Sequence, residues 1–137
     1  MLGANLVIAH GLWQWPGSSA LRLKKKYDIP YLVFPHGMLD PWFKENYPLK
    51  HLKKQLYWFW KQYNIMKNAS AVCFTTEEEK RLSSKTFWPF DCKQIVTGLG
   101  VGDPPNGEVK QKDLFEKKFT SIKGKKLLLY MGRIHPK

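Results

Sequence analysis

Short apolar runs spaced by helix-patterned stretches limit most strongly what this chain can fold into. Leu6-Val7-Ile8-Ala9, Tyr31-Leu32-Val33-Phe34 and Ala71-Val72-Cys73-Phe74 are continuous rather than alternating, as in the strands of a parallel sheet covered on its faces. Between them lie segments long enough for a crossover helix. The pattern predicts an α/β, Rossmann-like parallel sheet with helices on both faces.

Along the chain, strands are expected at about 4–9, 30–34, 71–74 and 94–96. A helix is expected at 16–27, opened by Pro16 and Ser18. Pro35, Asp40-Pro41 and Pro48 mark a loop, because proline excludes regular helix. A long helix follows at 49–68, and a short one starts at Thr76, where Thr76-Glu77-Glu78-Glu79 has the form of a capping box with Glu79 reaching back. Asp103-Pro104-Pro105-Asn106-Gly107 is the clearest linker signal. Beyond it come a basic helical stretch to about Thr120 and a last strand, Leu127-Leu128-Leu129-Tyr130-Met131. A buried strand with so little after it reads as the opening of another domain. The expected division is therefore 1–107 as a partial N-terminal domain, with 108–137 as linker and first strand of a truncated second one.

The 137 residues suffice for one domain with a core but not for two complete ones. With 23 Lys and Arg against 11 Asp and Glu, the formal net charge is +12, which favours an anionic partner. Cys73 and Cys92 lack metal-type spacing, and Cys73 sits in an apolar run as a buried, inert thiol. A reducing cytoplasm is the expected compartment. No apolar stretch approaches the roughly 18 residues of a membrane span, and no basic leader precedes the first apolar run.

Strand ends collect the chemistry. His10-Gly11, His36-Gly37, Thr75-Thr76-Glu77, Gly98-Leu99-Gly100 and Gly132-Arg133 each follow an expected strand, where open α/β sheets bind their ligands. Glycine admits close approach of backbone to ligand, and imidazole can donate to a hydroxyl or move a proton. Singly, each pair reads more readily as a chain turn; five together point to one cleft. An arginine before a helix N-terminus suits a phosphate.

In the 49–68 helix, Leu49, Leu52, Leu56, Phe59, Trp60, Tyr63 and Met66 form one apolar stripe, read as core. Lys50, Lys54 and Lys61 share the opposite arc with Tyr57, Trp58 and Ile65. That arc reads either as a solvated lysine face or as a surface for an anionic membrane. A nucleophile elbow, a Walker loop, a zinc motif and a nucleic-acid-binding signature are all missing from the sequence, and Glu77, Glu78 and Glu79 read as a helix start rather than a glycosidase pair.

Taken in order, His36-Gly37-Met38-Leu39-Asp40-Pro41-Trp42, the Lys/Trp-rich helix ending Lys67-Asn68-Ala69, Ala71 to Glu79, and Gly132-Arg133-Ile134-His135-Pro136-Lys137 resemble the family-4 glycosyltransferases. These are retaining, nucleotide-sugar-dependent enzymes of the GT-B fold, two Rossmann-like domains facing a cleft. The resemblance implies half of such a fold, the acceptor side. The family's Glu-x7-Glu donor motif falls beyond residue 137, and its Pro-Asn-Gly-Val-Asp segment is replaced here by Gly98-Leu99-Gly100-Val101-Gly102. It further implies His36 as the catalytic contact to transferred sugar or acceptor, Arg133 on the donor diphosphate, and His10, Gly11, Gly37 and Gly100 along the cleft. No metal or cofactor is implied; the nucleotide-sugar is a co-substrate. A glycan or lipid-linked acceptor, an anionic membrane surface as a further partner and a place at the inner face of the membrane are the matching expectations, with the isolated fragment inactive. The competing expectation is a non-catalytic basic module that docks to membrane or to a partner protein.

Overall fold

A computed structural model of the chain describes residues 3–100, 102–103 and 108–132. Two compact units divide it, Met1–Leu99 and Gly100–Lys137.

The first unit carries a four-stranded, all-parallel sheet in the order β1-β2-β3-β4, with β1 Val7–His10, β2 Tyr31–Phe34, β3 Ala71–Phe74 and β4 Gln94–Val96. This is the expected α/β, Rossmann-like arrangement. The register pairs Val7 with Tyr31, Val33 with Val72 and Phe74 with Val96. One sheet face therefore lines up Ala9, Tyr31, Val33, Val72 and Phe74, all buried in the main core. Every residue of β3 is buried, which accounts for its unbroken apolar run.

Helix α1, Trp15–Tyr27, begins with proline in its first turn and ends on Asp28 in the left-handed conformation, whose N–H bonds Lys24 O. Its buried residues Gly17, Ser18 and Ala20 are small. A β-carbon on Gly17 would lie 3.1 Å from Ile65, so small residues let this helix approach its neighbour closely. Tyr31 spans the same core, its phenol donating to the Ile65 carbonyl at 2.6 Å; burial pushes its pKa up.

The segment expected to be a loop after β2 holds a short helix, α2, Trp42–Asn46. Pro41 precedes the first turn, where its missing N–H costs nothing, and Asp40 Oδ1 accepts from Trp42 N–H at 2.8 Å. The long helix then runs as α3, Pro48–Tyr57, a π-helical turn, Trp58–Gln62, and α4, Tyr63–Lys67.

Up to Trp60 its orientation reverses the sequence expectation, while Tyr63 and Met66 of the expected stripe do pack on the core. Leu49, Leu52, Leu56, Phe59 and Trp60 are exposed, while Trp58, Gln62, Ile65 and Met66 are buried. The inward face is His51, Gln55, Trp58, Gln62 and Ile65, itself at helical spacing. Its polar members fit because each finds a partner. Gln55 both donates to Trp88 O and accepts from Trp88 N–H. Gln62 Oε1 accepts from Trp13 N–H at 3.2 Å, and His51 stacks on Phe87 with ring centroids 4.7 Å apart. Trp58, on the arc read as solvated or membrane-facing, is the centre of the core.

Helix α5, Glu77–Ser83, starts at Thr76, whose Oγ1 accepts from Glu79 N–H at 3.0 Å. Half of the capping box is formed. The Glu79 carboxylate does not reach back to Thr76 N–H but is taken up elsewhere. Cys73 and Cys92 are free thiols, and burial pushes both above the ordinary value, Cys92 to about 11 with help from Asp91.

In the second unit, α6 spans Glu108–Lys118 and a 3-10 turn spans Thr120–Ile122, with Phe115 and Phe119 in ring contact at 4.9 Å. Leu127–Met131, expected as a strand, forms none. A strand needs a neighbour to receive its N–H and C=O groups, and the described sheet ends at β4. No helix among the described residues is long and apolar enough to cross a membrane.

Candidate active site

Parallel strands all end on the same edge of a sheet, so β1 and β2 deliver His10 and His36 side by side. His10 Nδ1 lies 2.8 Å from His36 Nε2, one ring donating and the other accepting. The rings stack at 5.1 Å between centroids, and Phe34 stacks on both, at 5.2 Å from His10 and 5.8 Å from His36. Both histidines are exposed. The contact occupies one nitrogen of each ring and leaves the other available to a hydroxyl or an anion.

Backbone geometry holds this pair. His36 has φ 51° and Gly37 φ 73°, two consecutive left-handed residues. Left-handed backbone is natural for glycine but unfavourable for histidine, and such strain persists only where surrounding contacts enforce it. Three contacts do so here. Gly11 N–H donates to Phe34 O at 2.8 Å, and Met38 N–H to Pro35 O at 3.2 Å. The third is Glu79, whose Oε1 accepts from Gly37 N–H at 2.7 Å.

Glu79 also accepts through Oε2 from Thr75 N–H at 2.8 Å and from Thr75 Oγ1 at 2.7 Å. It thus ties the end of β2 to the end of β3. Burial opposes its charge, but the Thr75 and Gly37 hydrogen bonds and the nearby His36 together hold its carboxyl below the usual carboxylate range. It is therefore an anion at neutral pH, placed to steady a positive charge that develops on His36. A shallow depression beside it is lined by Gly37, Asp40, Thr75, Glu78, Glu79 and Leu82.

A second hollow lies beneath the same loop, lined by Met38, Phe43, Tyr47, Lys50, His51, Lys54, Thr86 and Phe87. Burial, then Lys44 and Lys54, lower the pKa of His51, so this imidazole stays neutral at pH 7.

Of the residues singled out in the sequence, His10, Gly11, His36 and Gly37 come together. Gly100 opens the second unit and is exposed; Arg133 lies outside the described residues. Glu79 and Phe34 were missed as site residues. The capping-box spacing explained Glu79 locally, and Phe34 read as strand core. Among the described residues no cluster of three or more His, Cys, Asp or Glu could hold a metal ion.

Residues 2–93 match the family model of the glycosyl transferase 4-like domain. The matched span contains β1, β2 and β3 and stops just before β4, and it holds the His10–His36 pair and Glu79. The chain belongs to this glycosyltransferase family, whose chemistry is transfer of a sugar from a donor to an acceptor. Neither the curated proteins nor the solved structures include a match to the chain.

Proposed function

We propose that this chain serves a retaining transfer of a sugar from a nucleotide-sugar to a glycan or lipid-linked acceptor in polysaccharide or glycoconjugate biosynthesis. The observation that carries the reading is the exposed His10–His36 pair at the C-terminal strand edge, in a chain of this family. His36 contacts the transferred sugar or the acceptor hydroxyl, through the nitrogen that His10 leaves unused. His10, Gly11 and Gly37 shape the cleft wall. Arg133 sits against the donor diphosphate and stabilises the negative charge that builds on the leaving phosphate as the glycosidic bond breaks, an electrostatic role that supplies much of the rate in such reactions.

In this reading the nucleotide-sugar is a co-substrate and no further cofactor takes part. The reaction belongs to the cytoplasmic side of a membrane, where lipid-linked acceptors present their head groups. In this division of labour residues 1–107 serve the acceptor and residues 108–137 the donor.

Calorimetric titration of the full chain with nucleoside-diphosphate sugars and with free nucleoside diphosphates tests this. Saturable binding is expected, abolished by Arg133→Ala because a bidentate guanidinium–phosphate pair is lost. His36→Ala is expected to weaken nucleotide-sugar by about tenfold, the equivalent of one hydrogen bond to a polar ligand, and to leave free diphosphate unchanged. Absence of binding, or equal binding by both variants, would contradict the proposal.

A further inference from the structure

The outward face of the long helix has no covering element in the first unit. Leu49, Leu52, Leu56, Phe59 and Trp60 follow one another at intervals of three, four, three and one residues, so they stand on one side of the helix. Leu49 and Trp60 are each 80% exposed. Phe59 meets Trp88 edge-on at 5.7 Å between centroids, and Trp88, 73% exposed, extends the stripe sideways. Gln55 fixes Trp88 there by bonding both its N–H and its C=O. The stripe is roughly 16 Å long at the rise of an α-helix, a continuous apolar surface of the kind that marks an interaction site.

Charge decides which partner fits. Between Pro48 and Lys67 the helix carries five lysines and no carboxylate. Lys53, four residues after Leu49 and three before Leu56, stands within the apolar stripe itself. Lysine is depleted in the buried centre of protein interfaces. At a lipid surface the same side chain extends its stem along the apolar layer and reaches a phosphate with its ammonium. Lys50 flanks the stripe, with its Nζ 4.8 Å from the centre of the Tyr47 ring. Leucine and tryptophan on one side, bordered by lysine and free of acids, make the pattern of a helix lying in an anionic membrane interface.

We propose that this face is a membrane-docking surface: Leu49, Leu52, Leu56, Phe59, Trp60 and Trp88 enter the boundary layer of an anionic bilayer while Lys50 and Lys53 pair with lipid phosphates. Its apolar part lies on the side opposite to the arc that the sequence pointed to, and of that arc only Lys50 borders it. It does not depend on the transfer reading, because vesicle binding is measured without donor or acceptor.

Co-sedimentation of the full chain with phosphatidylglycerol–phosphatidylcholine vesicles tests it, with tryptophan emission as a second readout. Binding with a blue shift is expected, weaker by about tenfold or more on pure phosphatidylcholine. The combined Leu52→Ser, Leu56→Ser and Trp60→Ser variant is expected to lose binding by about tenfold or more, since the apolar contribution is removed. Because these side chains are exposed, its near-ultraviolet circular dichroism should match the wild type. Should the triple variant misfold, Lys50→Gln with Lys53→Gln serves instead, and weaker binding to anionic vesicles is again expected. Wild-type chain that ignores vesicles, or variants that bind as well as wild type, would overturn the proposal. So would a wild-type dimer in sedimentation equilibrium that the triple variant breaks while vesicle binding persists, since a second copy would then be the occupant.

Discussion

Trp58→Ala is expected to destabilise the chain by about 3–5 kcal/mol, the range for emptying a buried large aromatic site. Trp58 is fully buried and lies between flat partners. Its ring stacks on Phe87 at 5.0 Å and on Phe90 at 5.8 Å, with Trp13 tilted against it at 6.2 Å. Its indole N–H donates to the Pro89 carbonyl at 2.7 Å. Alanine removes the ring, leaves a cavity too enclosed to collapse and strands a carbonyl. Domains of this size hold on the order of 5–15 kcal/mol in all, so much of the population should unfold. Urea titration followed by circular dichroism gives the number. A loss under about 1 kcal/mol, the value for an exposed position, would mean that the helix is rotated from the orientation described, with Leu52 and Leu56 inward after all.

Glu79→Ala should cost about 2–3 kcal/mol, because one carboxylate serves three donors and their desolvated N–H and O–H groups lose a charged acceptor. The larger effect falls on the site. Without Glu79, Gly37 N–H loses its acceptor, and one of the three contacts that hold His36 in its left-handed conformation is gone. Loss of the His10–His36 contact should follow, visible as altered imidazole signals in NMR spectra. Acid acts in the same direction. The Glu79 carboxyl is held below its unfolded value, so its contribution is fully present above the unfolded pKa, about 4.3, and disappears as pH falls through the lower folded value. Stability measured between neutral pH and pH 3 should fall more steeply for wild type than for Glu79→Gln. Equal slopes would show that Glu79 is not the anchor.

The strands were legible because buried parallel strands are unbroken apolar runs, and Tyr31–Phe34 and Ala71–Phe74 stand where they were expected. The first strand was expected at 4–9 and spans Val7–His10; its last residue is polar because it opens into the site. The long helix was legible as a helix but not in orientation. Gln55, Gln62 and His51 look like surface residues, and only the chain at 86–90 and Trp13 makes them core. Apolar character at Leu127–Met131 does not make a strand without a neighbour to pair with. The same limit applies to the site. Two histidines at strand ends announce themselves locally, whereas Glu79 meets Gly37 across 42 residues of sequence, and its role exists only once β2 and β3 lie side by side.

The central claim is that His10 and His36 together face the ligand. Imidazole NMR of the full chain, titrated with a panel of nucleoside-diphosphate sugars and glycan acceptors, tests it most directly. His51, packed on Phe87, serves as the internal control. The account predicts that His10 and His36 signals move together and saturate while His51 stays in place. Ligand binding that leaves both strand-end histidines unmoved would contradict it.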